Sequence, residues 1–181
     1  MSIKTLLMPP VSERLLSDQR LQQQRAKAER MRQAKGLPHQ VHYFHQVDDP
    51  YSALAAAALH LLVARYEIEI CPHVVGPVPD AAAPARDQLT AYSRRDAGVL
   101  ARHWSLPYAD PGRQPYPDNC DAVAAVLVAA IEDGRFLEVV VPVSQALWQR
   151  PDAPVGDVLA GKGLRQAPSD AVQAHQGAAD A

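Results

Sequence analysis

The alternation of apolar and polar residues is sharpest between residues 41 and 75. From Val41 to Val47 the chain reads VHYFHQV, which places Val41, Tyr43, His45 and Val47 on one face of a strand and His42, Phe44 and Gln46 on the other. Asp48, Asp49 and Pro50 break that period. Asp49 has N-cap chemistry and Pro50 suits the first helical position, so a helix is predicted from about Pro50 to Arg65. "YEIEICPHVV" follows as a second strand, with Ile68 and Ile70 alternating against Glu67 and Glu69. A strand, a four-turn helix and a second strand predict a βαβ unit with parallel strands and a right-handed crossover.

The pattern then turns helical. Gly76 to Pro84 reads as a loop. "ARDQLTAYSRRDAGVLARHWSL" reads as a helix, with Leu89, Tyr92, Leu100 and Trp104 as expected core contacts. After a proline-rich loop, Asp118 or Asn119 is placed to cap a helix over "CDAVAAVLVAAIEDG", which Gly134 ends. "RFLEVVVPVSQALWQR" has β composition over Leu137 to Val143, but Pro142 fits the first turn of a helix leading to Trp148, and helix is the reading adopted. Apolar residues become scarce after Gly161, so residues 161–181 are expected to be a disordered tail.

Charge separates the first 40 residues from the rest. They hold eight basic residues against Glu13, Asp18 and Glu29, an excess of five. A chain of net charge −2 therefore carries about −7 in the remainder. Between Ser12, a plausible N-cap, and the stop at Gly36 and Pro38 lies a Gln/Arg-rich helix. It reads as a basic helical arm, solvated and without the aromatic or strongly apolar face that nucleic acid or a membrane surface would favour. With an apolar share of 48%, no run near the roughly 20 residues that span a bilayer, and no secretory signal, the expected address is cytoplasmic.

Cys71 and Cys120 form no CxxC and no disulfide framework, and each reads as a small apolar residue. "CPHV" at Cys71 imitates half of a redox motif but follows the second strand, with Val74 where a second cysteine would stand. His39, His42 and His45 suggest a metal cluster, but His42 and His45 point to opposite faces of a strand, so no metal centre is expected.

The passage "YFHQVDDPYSALAA", the strand "YEIEICPHVVGP" and the helix "AYSRRDAGVLARHWSLPY" together resemble the thioredoxin-like DsbA superfamily. The nearest branch is that of the 2-hydroxychromene-2-carboxylate isomerases and kappa-class glutathione transferases. The resemblance covers about residues 41–160 and implies a helix-rich α/β fold. That fold would be a thioredoxin-like βαβ unit with an inserted helical subdomain, flanked by the arm (1–40) and the tail (161–181). It also implies an active-site corner at the head of the first domain helix. There the oxidoreductases carry CxxC, and the isomerase and transferase branch carries a serine that holds the glutathione thiolate. Asp49 occupies the serine position, followed by Pro50 and Tyr51 as the pattern requires.

By that correspondence Asp49 and Tyr51 are the candidate catalytic residues, and Asp48, Pro50 and Ser52 the candidate substrate contacts. A helix N-terminus favours an ionised carboxylate, and a carboxylate there repels a thiolate, so Asp49 disfavours glutathione. Asp49 would serve instead as a general base, as a site for a cationic group, or only as a helix cap. Two functions remain open: an isomerase- or transferase-type enzyme acting on a small molecule, and a non-catalytic thioredoxin-like binding or assembly module. The C-terminal hairpin and helix of the thioredoxin fold have no counterpart after Arg150, and Val141-Pro142 is the one candidate for its cis-proline. A two-stranded sheet lacking that half needs cover. Cover is expected from a homodimer or from Leu15, Leu16 and Leu21 of the arm.

Overall fold

The computed structural model describes residues 18–151, 154–156, 159 and 163–179. The chain divides into two compact units, Met1–His39 and Gln40–Ala181. In the first, helix α1 spans Asp18–Ala34, with Asp18 in its first turn and Arg32 in its last, each suited to the helix dipole. Gly36 ends it with φ 61°. Leu37 N–H reaches Arg32 O and Gly36 N–H reaches Gln33 O, the paired bonds of a Schellman cap. Ser12, Leu15 and Leu16 lie outside the described residues.

The second unit opens with the βαβ element. Strand β1 is His39–Gln46, helix α2 is Pro50–Arg65 and strand β2 is Ile68–Val75. The two strands form one parallel sheet, in which Gln40 reaches Glu69 and His42 reaches His73 at nearly constant sequence separation. The predicted alternation in β1 holds: His45 and Val47 are buried, whereas His42 and Phe44 are exposed and stack on His73. Pro72 is tolerated within β2 because a two-stranded sheet has only edge strands.

After a 3₁₀ turn at Asp80–Ala82 come α3 (Arg86–Trp104), α4 (Pro117–Glu132), α5 (Phe136–Gln149) and α6 (Ser169–Ala179). The large core is built around α4, whose Val123, Val126, Leu127 and Val128 are almost fully buried. A helix this apolar on all sides fits only a central place. It packs against α5, α6 and β2. Gly134, at φ 68°, closes α4 with a second Schellman cap, in which Arg135 N–H reaches Ala130 O and Gly134 N–H reaches Ile131 O. The chain then re-enters a helix at Phe136. No described helix is long and apolar enough to cross a membrane.

Four expectations need correction. Leu89, Tyr92 and Trp104 are 54, 57 and 66% exposed rather than core contacts. The face α3 turns inward consists of Ser93, Ala97, Gly98 and Ala101, small residues that let it approach α2, and of the four named residues only Leu100 packs against that side. Second, neither Asp118 nor Asn119 caps α4, which starts at Pro117 after Tyr116. Asn119 is buried and works at longer range, donating to Pro151 O and accepting from Val155 N–H at 3.2 Å. Third, Pro142 lies well inside α5 rather than in its first turn, and no described peptide bond is cis. The ring deprives Glu138 O of its helical donor, and the burial of Val139, Val140, Val143 and Leu147 keeps the helix together regardless.

The fourth correction concerns the tail, which is ordered over 163–179. Arg165 grips the C-terminal end of α4 through Glu132 at 2.7 Å and Asp133 at 3.0 Å, and Ala167 N–H reaches Ala125 O. Helix α6 then packs on β2 and α4, where His175 Nε2 accepts the Val74 N–H at 3.2 Å. Of the tail's apolar residues, Leu164, Ala167, Ala171 and Val172 join the core. Part of the cover that β2 requires therefore comes from the chain's own C-terminal segment.

Candidate functional site

The corner where β1 hands over to α2 is held by a tight set of hydrogen bonds. Asp49 has the extended backbone of an N-cap (φ −99°, ψ 120°), and its Oδ2 accepts from both Ser52 N–H and Ser52 Oγ, each at 2.8 Å. Ser52 is buried, and its hydroxyl oxygen in turn accepts the Gln46 N–H at 3.3 Å. Tyr43 Oη donates to Ser52 O at 2.8 Å and lies 2.9 Å from His45 Nδ1. A phenol has one proton and a carbonyl only accepts, so the proton between Tyr43 and His45 belongs to Nδ1, and His45 is the Nδ1–H tautomer. Burial pushes the His45 pKa down to about 4, which keeps this imidazole neutral.

The five candidate residues separate into two groups. Asp48, Asp49 and Pro50 line a cleft of about 230 Å³ between the head of α2 and the N-terminal half of α3. Its α3 wall is Arg86, Thr90 and Ser93, and Gln114 closes it from the loop before α4. A neighbouring cleft of about 470 Å³ shares Asp48, Arg86, Thr90 and Gln114 and extends to Cys120 and Asp121. Tyr51 and Ser52 do not line either cleft. Tyr51 turns to α3, where its hydroxyl donates to Asp96 at 2.7 Å, and desolvation together with that carboxylate pushes its pKa up to about 12. Such a phenol ties α2 to α3 and faces away from both clefts' linings. Ser52 is consumed by the cap.

Five contributors were not singled out from the sequence. Arg86, Thr90 and Ser93 follow one another at helical spacing (i, i+4, i+7), a polar stripe that can be read from the sequence once α3 is drawn as a helix. Gln114 donates to Asp48 O at 3.0 Å. Arg94 holds the loop that delivers it, reaching Asp110 at 3.3 Å, Gly112 O at 3.3 Å and Gln114 Oε1 at 3.4 Å, with a side chain only 12% exposed. No local pattern announces Arg94 or Gln114, because their partners lie 16 to 66 residues away.

The corner presents carboxylates, amides and hydroxyls, with Arg86 across from them, donating to Val78 O. The positive end of the α2 dipole is already answered by Asp49. Cys120 does not have the surroundings of a redox thiol. Both thiols are free, and burial, then Asp48 and Asp121, push the Cys120 pKa up to about 12, opposite to an attacking thiol. Insulin reduction should accordingly show no turnover above buffer, and Cys71→Ala and Cys120→Ala should leave that baseline unchanged. Turnover abolished by either substitution would contradict this. Set against protein-family models, curated proteins and solved structures, the chain finds no match. What fold and site define is a helix-rich α/β domain with a polar cleft at the head of its first domain helix.

Proposed function

We propose that the chain is a DsbA-like, thioredoxin-type binding module whose corner cleft takes a small molecule carrying a cationic or strongly donating group. One observation supports this reading: Asp48 and Asp49 line a cleft at the head of α2, while the Tyr51 and Ser52 hydroxyls are already hydrogen-bonded. Tyr51 is bonded to Asp96 and Ser52 to Asp49, so the cleft offers recognition without a poised nucleophile or acid. The two carboxylates that line it select for positive charge and against a thiolate. Neither Trp104, which is exposed, nor Tyr108 lines this cleft.

Thermal shift against benzylamine, benzoate and glutathione tests the proposal. Benzylamine at a hundredfold excess over its Kd should raise Tm by about 5 °C or more, and glutathione should not. Asp49→Asn retains the cap, since asparagine caps as well as aspartate, and removes the charge. It should weaken benzylamine by about tenfold while leaving the unliganded Tm within a few degrees. Stabilisation by glutathione with benzylamine silent would sink the binding-module reading and return the corner to thiolate chemistry.

A further inference from the structure

A second cavity, of about 280 Å³, opens between α2, α5 and the segment that follows α3. Ala53 and Ala57 of α2, Leu106 to Ala109, and Val141, Ser144 and Trp148 of α5 are among its walls, and no charged side chain lines it. Among the described residues, three buried side-chain polar atoms lack any hydrogen-bond partner: Tyr108 Oη, Ser144 Oγ and Trp148 Nε1. All three residues line this one cavity. Ser144 is 6% exposed and Trp148 2%.

Buried indole N–H and hydroxyl groups ordinarily find partners, and each one left without costs stability. Three orphans in unrelated places would be three small defects. Three on residues that line a single cavity are a set of unmet hydrogen bonds gathered at its wall. The Tyr108 and Trp148 rings meet edge to face at 5.4 Å, forming an aromatic wall, and Ala53 and Ala57 leave space where larger side chains would fill it. Burial also raises the Tyr108 pKa, so its hydroxyl stays protonated and able to donate.

We infer that this cavity is a binding site for a neutral, ring-sized molecule bearing a hydrogen-bond-accepting oxygen, such as an aryl ketone. The ring lies against the aromatic wall and the alanines. These polar atoms are covered in the empty site, so binding turns the side chains toward the cavity, and the oxygen accepts from Trp148 Nε1–H and from whichever of the Tyr108 and Ser144 hydroxyls it reaches. A carboxylate is excluded, because nothing in the cavity would offset its charge. This site is separate from the cleft at Asp48 and Asp49 and does not depend on what that cleft binds.

Three probes of similar shape test it on the intact chain: acetophenone, its hydrocarbon counterpart cumene, and benzoate. The readout is the pair of indole N–H resonances, since Trp104 is exposed and serves as an internal reference. Acetophenone should move the Trp148 resonance saturably and leave that of Trp104 in place. Cumene should bind about tenfold more weakly, and benzoate should produce no shift. Ser144→Ala and Tyr108→Phe each delete an unpartnered atom with little change of shape. They should leave the unliganded Tm unchanged or higher, and at least one should weaken acetophenone about threefold to tenfold. Asp49→Asn should leave acetophenone binding unaltered. Equal affinity for cumene and acetophenone, or no Trp148 shift up to the solubility of acetophenone, would overturn the inference. Either result would mean that the cavity recognises only apolar bulk or holds only water.

Discussion

Leu127→Ala should lower the free energy of unfolding by about 2–5 kcal/mol, a large fraction of the roughly 5–15 kcal/mol typical of a folded domain. Leu127 is 0% exposed and sits in the middle of α4, the helix on which α5, α6 and β2 all converge. Truncation removes its transfer free energy and leaves a void. The neighbouring Val123, Val126 and Val128 are β-branched and stiff, and cannot swing in to fill it. Urea denaturation should show a lower midpoint with an unchanged slope, the signature of lost stability rather than of a changed unfolded state. Leu89→Ala is the matched control. The same chemical change at a residue 54% exposed should stay within about 0.5 kcal/mol. Equal losses at the two sites would mean that the core does not lie where α4 places it.

That contrast also shows what the sequence could and could not disclose. Several readings that rest on local interactions succeeded, although the caps proposed at Asp118 and Asn119 and the first-turn place of Pro142 did not. Asp49 and Pro50 set the start of α2, Gly36 and Gly134 end their helices, and the alternation of β1 assigns His45 to the core and Phe44 to the surface. Each of these depends on residues within a turn or two. The reading failed where burial depends on what a distant element needs. In α3, large apolar residues suggested an inward face, but the partner helix is approached through Ser93, Ala97, Gly98 and Ala101. A stripe of small residues can be buried more completely than a stripe of leucines, and hydrophobicity alone does not reveal it.

The tail failed for the same reason. Its composition is that of a disordered segment, yet Arg165 and Ala167 are fixed by groups on α4, and His175 accepts a backbone N–H from β2, 101 residues earlier in the chain. The site was half legible. The capping chemistry at Asp49 was visible, while the geometry that sends Tyr51 to Asp96 and brings Gln114 to Asp48 exists only once α3 and its following loop are in place.

Acidification should destabilise the protein in a range set by its buried histidines. His45 is 1% exposed among Tyr43, Phe136 and the start of α2, and burial lowers its pKa from 6.5 to about 4. Above about pH 6.5 the imidazole is neutral in both the folded and unfolded chain, and its neutral state contributes fully. As pH falls toward 4 the unfolded chain takes up a proton that the folded chain refuses, so stability is lost progressively, by about 3 kcal/mol in all from His45. His175 acts in the same direction. Burial, then His73, lowers its pKa, partly opposed by Glu132, and its Nε2 must remain unprotonated to accept the Val74 N–H. Hydrogen exchange at Val74 should accordingly lose protection, beyond the intrinsic pH effect, ahead of the α4 amides as pH is lowered. Chemical denaturation between pH 7 and 4.5 should show a falling midpoint in the native chain and a flatter profile in His45→Gln, whose side chain does not titrate. A native midpoint that is level across this range would mean that His45 is charged in the fold, and that the Tyr43–His45–Ser52 arrangement at the corner is not the one that holds α2 to β1.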